Sequence, residues 1–220
     1  MNRPTAPSPR RLALRSLAGA AAVCVSFPTL TRAALPPMTE GPFYPSPAYR
    51  ARQLDWDADL TRVTRSAAAD APRAAGEWLD LTGAVLDARG RPVDGADIEI
   101  WQCDVYGSYR HPRGAGAQVD EAFQGFGSSR TDAQGRYRFR TIKPVVYPGR
   151  APHIHVLLRH PTFGERVSQL FVAADPANAR DFIYRSLSAS DRHDTELRLQ
   201  RAPVGSPVVW QAERSLLVGG

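Results

Sequence analysis

Short segments that alternate apolar and polar residues, each bounded by turn-forming residues, constrain the fold of this chain more than any other feature. The clearest is GRYRFRT (135–141), where Tyr137, Phe139 and Thr141 share one face and three arginines share the other. A side-chain period of two indicates strands, and the 19 prolines and 17 glycines favour turns over long helices. The sequence therefore predicts an all-β fold, an antiparallel β-sandwich. The other predicted strands are WLDLTGAV (78–85), ADIEIWQ (96–102), HIHVLL (153–158), VSQLFV (167–172) and TELRLQ (195–200).

Two stretches depart from this strand pattern. Residues 35–77 are rich in Pro, Gly and small residues, which predicts an irregular N-terminal arm before a β-sandwich domain over 78–220. One helix is predicted near DPANARDFIYRSL (175–187), with Asp175 as N-cap and Pro176 at the first helical position.

Positive charge is concentrated at the N-terminus. Residues 1–34 hold five arginines and no acid, followed within that range by the apolar stretch 17–30 and then small residues. This order is typical of a signal peptide, and the adjacent Arg10 and Arg11 resemble a twin-arginine signal, so we expect a periplasmic or extracellular protein. The alternative is an unstructured or helical extension. Removal of the signal leaves 23 basic against 22 acidic residues, which argues against nucleic acid as a partner.

A pair of histidines offers the first candidate for chemistry. His153 and His155 lie two apart in a predicted strand, so both imidazoles point to one face and can converge on one metal ion. The first acid that follows is Glu165, which makes a two-His-one-carboxylate iron site a poor fit. The unusual residues nearby are Tyr109 and Tyr147, whose phenolate oxygens would favour Fe(III). The alternative is a pair of polar residues on a solvent-facing surface.

Five segments match one known family in order along the chain. They are TEGPFYP (39–45), DLT (59–61), LTGAVLDARGRPVDGADIEIWQCDVYGSYRH (81–111), RTDAQGRYRFRTIKPVVYPGRAPHIH (130–155) and SQLFV (168–172). On these segments the chain resembles the intradiol ring-cleavage dioxygenases, which include the protocatechuate and catechol dioxygenases. The resemblance implies a β-sandwich fold, in agreement with the strand pattern.

The resemblance also implies a site and a reaction. A non-haem Fe(III) ion would be the cofactor, and a catechol would be cleaved between its two hydroxylated carbons with O2 to give a muconate-type diacid. Arg150 would face the bound catechol, Gln169 would line the same pocket, and Tyr147 would be the ligand that the substrate displaces. The ferric ligands implied are Tyr109, Tyr147, His153 and His155.

The chain departs from the family at several points. Gly149 replaces the aromatic residue that follows Tyr-Pro in protocatechuate enzymes, and the stretch from Tyr147 to His153 is shorter. The resemblance therefore does not determine which catechol is the substrate. The long helical N-terminal segment of catechol dioxygenases is not expected. Family members commonly associate, which makes a homo-oligomer compatible with the sequence. Two further alternatives are a non-catalytic exported β-sandwich binding module, because 83–96 resembles prealbumin-like domains, and a wall-associated adhesive protein.

Overall fold

The computed structural model describes Met1 and residues 34–52, 55–63, 72–114 and 116–219. The chain divides into two compact units, Met1–Leu30 and Thr31–Gly220, and the fold below is that of the second. The predicted signal, with Arg10 and Arg11, lies outside the described residues. Within those ranges, no helix has the length and apolar character needed to cross a bilayer.

The described residues contain ten strands, three short α-helices and one 3-10 helix. The long strands coincide with the alternating segments of the sequence, and β1 begins at Trp78, where the first strand is predicted. The strands are β1 (Trp78–Leu86), β2 (Asp97–Trp101), β3 (Phe126–Arg130), β4 (Arg136–Ile142), β5 (His153–His160), β6 (Gly164–Val172), β7 (Glu196–Leu197), β8 (Gln200–Arg201), β9 (Trp210–Glu213) and β10 (Leu216–Leu217). The α-helices are α1 (Pro47–Arg50), α2 (Phe182–Ser186) and α3 (Ala189–Thr195), and the 3-10 helix is Pro176–Ala179.

These strands form two five-stranded sheets. In the first sheet the order is β10-β1-β9-β8, with β4 also paired to β1, and in the second it is β3-β2-β5-β6-β7. The pairs β1·β9, β1·β10 and β6·β7 are parallel, so the prediction of a purely antiparallel sandwich is wrong. Parallel pairs join strands that are distant in sequence, and the local turn pattern carries no information about them.

The two sheets share one hydrophobic core. Leu79, Leu81 and Phe139 of the first sheet belong to the same buried cluster as Ile100 and Ile154 of the second. The alternation predicted for β4 is confirmed, because Tyr137, Phe139 and Thr141 are buried. Shared burial of inward-facing residues from both sheets is the packing of a β-sandwich.

The second sheet is also covered on its outer face. There Trp101, Tyr109 and Leu157 form a second cluster, on which Phe43 and Tyr44 of the N-terminal arm pack. This cover explains why all six residues from His153 to Leu158 are buried. The arm thus turns one outer sheet surface into an interior where polar side chains are shielded from water.

The predicted helix is present in two pieces. Asp175 caps the 3-10 helix by accepting from the Ala177 N–H at 2.9 Å, and Pro176 starts it, as predicted. The chain then begins again at α2, where Asp181 is a second N-cap. Helices α1 and α3 are not predicted, because each is too short to show a helical period.

Candidate metal centre and substrate pocket

Strand β5 brings the two histidines together under the arm. Their Nε2 atoms lie 3.1 Å apart, and both side chains are buried. The Nδ1–H of His153 donates to the Ala151 carbonyl at 2.6 Å, which leaves the Nε2 lone pair free to bind a metal. The shared face predicted from the period of two is confirmed, whereas the alternative of a solvent-facing pair is wrong.

Both predicted tyrosines lie against this pair. The Tyr109 hydroxyl is 3.4 Å from His153 Nε2, and its ring is buried. The Tyr147 ring packs on Tyr109 with centroids 5.5 Å apart and on His153 at 6.0 Å. Tyr147 is half-buried, in the turn closed by the Arg150 N–H donating to the Tyr147 carbonyl at 2.9 Å. The structure therefore brings together all four residues that the resemblance names as ligands.

Burial sets the protonation states in this cluster. It lowers the pKa of His153 to about 4, with the positive charge of Arg150 acting in the same direction. Burial, together with His153 and Arg150, holds the pKa of His155 well below its ordinary value. Both imidazoles are thus neutral at pH 7, the form that binds metals. Burial raises the pKa of Tyr109 well above 10, so an ion that binds its oxygen has to displace the proton.

The donor set fits a hard, trivalent cation. Imidazole nitrogens bind transition metals at about 2.0–2.1 Å, so two of them at adjacent positions on one ion lie about 3 Å apart, close to the separation of His153 and His155. Among the described residues no group of three or more His, Cys, Asp or Glu could hold a metal ion. The Tyr109 hydroxyl, 3.4 Å from His153 Nε2, adds an oxygen donor to the two imidazoles, and a phenolate, as an anionic donor, suits Fe(III).

A cation and an amide lie beside these four residues. Arg150 Nη2 donates to Gln169 Oε1 at 2.5 Å, and its Nε donates to Asp181 at 2.8 Å. Gln169 faces His155 directly across β6 and β5, as expected for a residue lining the same pocket. Asp181 is not predicted from the sequence as a site residue. Its position as N-cap of a helix is the only local signal that could have indicated it.

Two aromatic residues complete the surroundings. Trp101 faces His155 across β2 and β5, and the rings stack with centroids 4.7 Å apart. Phe43 of the arm stacks on Tyr109 at the same centroid distance. The sequence contains both within matched motifs, but assigns neither a place at the site.

Comparison with known proteins decides the family. A family model described as a dioxygenase matches residues 45–203. The protocatechuate 3,4-dioxygenase β chain of Burkholderia cepacia is 39% identical over 178 residues, covering 76% of this chain and 74% of that one. This chain belongs to the intradiol ring-cleavage dioxygenases. The dioxygenase is therefore an enzyme, and the alternative of a non-catalytic binding module is wrong.

Other similarities agree with this membership. A hydroxyquinol 1,2-dioxygenase from Corynebacterium glutamicum is 34% identical over 117 residues, which are 45% of this chain but only 36% of that protein. The dioxygenase domain of a carbohydrate-binding fusion from Streptomyces sp. SirexAA-E superposes with a TM-score of 0.61 at 24% identity, covering 85% of this chain and 99% of that domain. An intradiol ring-cleavage dioxygenase from Tetranychus urticae superposes with a TM-score of 0.61 at 20% identity, covering 85% of this chain and 95% of that one. These two structures support the fold.

Proposed function

We propose that this dioxygenase holds a non-haem Fe(III) ion and cleaves a catechol between its two hydroxylated carbons, consuming O2 and giving a muconate-type diacid. The observation that carries the proposal is the convergence of two donors on His153. Its Nε2 lies 3.4 Å from the Tyr109 hydroxyl and 3.1 Å from His155 Nε2, and the Tyr147 ring packs against His153. These four residues would hold the ion. When bound, Fe(III) would draw electron density from a catecholate and make its ring carbons reactive toward O2.

Tyr147 is the residue that we expect to give way to the substrate. It is half-buried, whereas Tyr109, His153 and His155 are buried, and it is followed by the exposed Pro148 and Gly149. Gly149 has φ +82°, and no atom lies within 4 Å of where a Cβ would be, so the turn beside Tyr147 is not packed against a neighbour at this position. Tyr147 would bind the ion as a phenolate, and once displaced its phenolate oxygen would accept one proton from the catechol and become a neutral hydroxyl.

Arg150 supplies a fixed positive charge beside the reacting ring. Its side chain is largely buried, so its charge is less screened than that of a surface arginine. A cation held next to a carbon that gains negative charge stabilises the transition state by about 3–4 kcal/mol. Gln169 holds the guanidinium and lines the same pocket.

The substrate enters from the turn that carries Tyr147 and Arg150. A cleft of about 700 Å³ lies between this turn and the 3-10 helix. Relatives of this chain act on protocatechuate, hydroxyquinol or catechol according to their names. We propose that the substrate is a catechol of this kind. The rate of oxygen uptake with protocatechuate, hydroxyquinol and catechol would show which of the three the enzyme cleaves fastest.

The experiment that tests the proposal uses the full chain loaded with Fe(III). We expect a visible absorption band from tyrosinate-to-iron charge transfer and oxygen uptake that depends on catechol. Tyr147→Phe should shift the band, and His155→Ala should lose iron. Tyr106→Phe, at an exposed tyrosine outside the cluster, is the control and should change neither. A colourless protein that takes up no oxygen would overturn the proposal.

We also propose that residues 1–34 export the enzyme by a twin-arginine route to the periplasm or beyond. The support is the charge and apolar pattern around Arg10 and Arg11. Replacing both arginines with lysine should leave the protein in the cytoplasm. N-terminal sequencing of the exported wild type should begin near residue 34 or 35, and a start at residue 1 would contradict cleavage.

A further inference from the structure

Asp181 is a buried carboxylate whose two oxygens have different partners. Oδ1 accepts from the backbone N–H groups of Ile183 and Tyr184, both at 2.9 Å, and so caps α2. Oδ2 accepts from Arg150 Nε and from the Ala151 N–H, both at 2.8 Å. The side chain has no solvent exposure. Capping requires only one oxygen, and an uncharged Ser or Asn would supply it.

Arg150 is held at two of its three guanidinium nitrogens. Nε is bound by Asp181 and Nη2 by Gln169, whose own Nε2 donates to the Thr39 carbonyl at 3.0 Å. The Phe182 ring lies 5.3 Å from the guanidinium carbon and limits its movement further. Within the described part of the chain, Nη1 has no hydrogen-bond partner. Because the guanidinium group is planar, fixing two nitrogens fixes the direction of the third.

We infer that Asp181 is a positioning residue, which fixes the orientation of Arg150 so that Nη1 is the nitrogen presented to the substrate. The inference rests on the proposed function, since Arg150 acts only if a catechol binds beside it. Burying a carboxylate is costly unless it is paired, and here the partner is the guanidinium of Arg150, whose side chain is itself largely buried.

The electrostatics agree with this assignment. Burial alone would raise the pKa of Asp181, but the hydrogen bonds from Tyr184 and Ala151 and the charge of Arg150 outweigh it, so the pKa is lowered. Asp181 is therefore ionised at neutral pH. As a carboxylate it is a charged acceptor for Arg150 Nε.

A competing route runs through Ala151. Its N–H donates to Asp181, while its carbonyl accepts from His153 Nδ1. Loss of Asp181 could therefore disturb the proposed iron ligand instead of the arginine. Iron content separates the two routes, because only the second one releases the ion.

The test is Asp181→Asn in the iron-loaded full chain. Asn keeps an oxygen for the cap, but its amide group would present a donor to Arg150. We expect kcat to fall by ~100-fold, the size of effect found when one electrostatic stabiliser is removed, with iron content unchanged. Asp132→Asn is the control, because Asp132 also accepts from two backbone N–H groups and from an arginine Nε, that of Arg136 at 2.8 Å, but at an exposed turn that does not line this cleft, and it should keep the wild-type kcat.

A second arm keeps the inference testable if Asp181→Asn folds poorly. In an Arg150→Gln background, adding Asp181→Asn should cost no further activity, because Asp181 acts through Arg150. The double variant should also melt at a higher temperature than Asp181→Asn alone, because no unpaired buried charge remains. Asp181→Ser, which keeps a capping oxygen, should lose activity in the same way as Asp181→Asn.

The outcomes are distinct. No oxygen uptake by the wild type would overturn the proposed function and the positioning role with it. Uptake by the wild type together with an unchanged kcat in Asp181→Asn would overturn the positioning role alone. The positioning role would also be overturned if Asp181→Asn lost iron in proportion to its loss of activity. It would be overturned as well if the loss of activity in the double variant equalled the product of the losses in the two single variants.

Discussion

Trp101 and His155 stack across neighbouring strands, with ring planes only 11° from parallel. Among the described residues, the buried Nδ1 of His155 and Nε1 of Trp101 have no hydrogen-bond partner. His153 is oriented by a hydrogen bond to Ala151, whereas His155 is oriented by packing. Stacking therefore takes the place of the hydrogen bond that usually orients a metal-binding histidine.

Trp101→Leu should weaken the proposed iron site. With the stacking surface gone, the His155 ring can rotate, and groups that orient a ligand are worth about 10-fold or more in metal affinity. Competition with a chelator would measure the change. Trp210→Leu, at a half-buried tryptophan of the other sheet, should leave iron affinity at the wild-type value, and an equal loss in both variants would contradict the prediction.

Glu99→Gln should loosen the arm. Glu99 is buried and accepts from Tyr44 at 2.6 Å, from Arg159 at 2.8 Å and from Arg50, so it ties two arm residues to the sheet. Losing a charged acceptor should cost about 2 kcal/mol in the free energy of unfolding and speed proteolysis within the arm. Asp97→Asn, two residues away at an exposed ion pair with Arg130, should cost less than about 0.5 kcal/mol.

Asp80→Asn should destabilise the fold in a pH-dependent way. Asp80 accepts from Arg138 at 2.7 Å and from Arg140 at 2.8 Å. Burial raises its pKa, but these hydrogen bonds outweigh burial and lower it. Its stabilisation is therefore complete above the unfolded-state pKa of about 3.9 and is lost as the pH falls through the lower folded value.

Urea unfolding at two pH values would measure this. At pH 7 the variant should be less stable than the wild type by about 2 kcal/mol, and the difference should shrink as the pH falls below about 3.9. An equal difference at both pH values would contradict the prediction.

Gly83→Ala should be among the costliest small changes in the first sheet. A Cβ at Gly83 would lie 1.9 Å from the Arg214 carbonyl oxygen, which accepts from the Tyr137 hydroxyl at 2.6 Å. Overpacking against backbone should cost about 3 kcal/mol in chemical unfolding. Gly219→Ala, where a Cβ would meet only Ala34 at 3.4 Å, is the control, and similar losses in both would count against the clash.

The long strands and the histidine pair were predictable because their pattern is local. Alternation shows one buried face in β4, and the same period places His153 beside His155. Strand β3, with the sequence FGSSR, has no apolar alternation, and β10 is only two residues long, so neither pattern nor length indicates them. The strand predicted over 195–200 is present as β7 (Glu196–Leu197), and β8 begins at Gln200. The parallel pairings join strands that are distant in sequence, so no local pattern indicates which strands pair.

The residues of the candidate site likewise fall into those that the sequence indicates and those that only the structure shows. Tyr109, Tyr147, Arg150 and Gln169 were placed by family resemblance, and the structure brings them together with the histidines. Asp181 lies 31 residues from Arg150, and Trp101 meets His155 only through strand pairing. Both contacts join residues that are far apart in the sequence, so the residues around either partner do not indicate them.

The start of the arm that covers the second sheet is hydrogen-bonded to segments that lie much later in the chain. The Leu35 N–H donates to the Leu217 carbonyl at 2.7 Å, and the Thr39 carbonyl accepts from Gln169. During synthesis the arm leaves the ribosome long before these partners exist. The start of the arm can therefore take its final position only after almost the whole chain has been made, whereas Tyr44 can meet Glu99 much earlier.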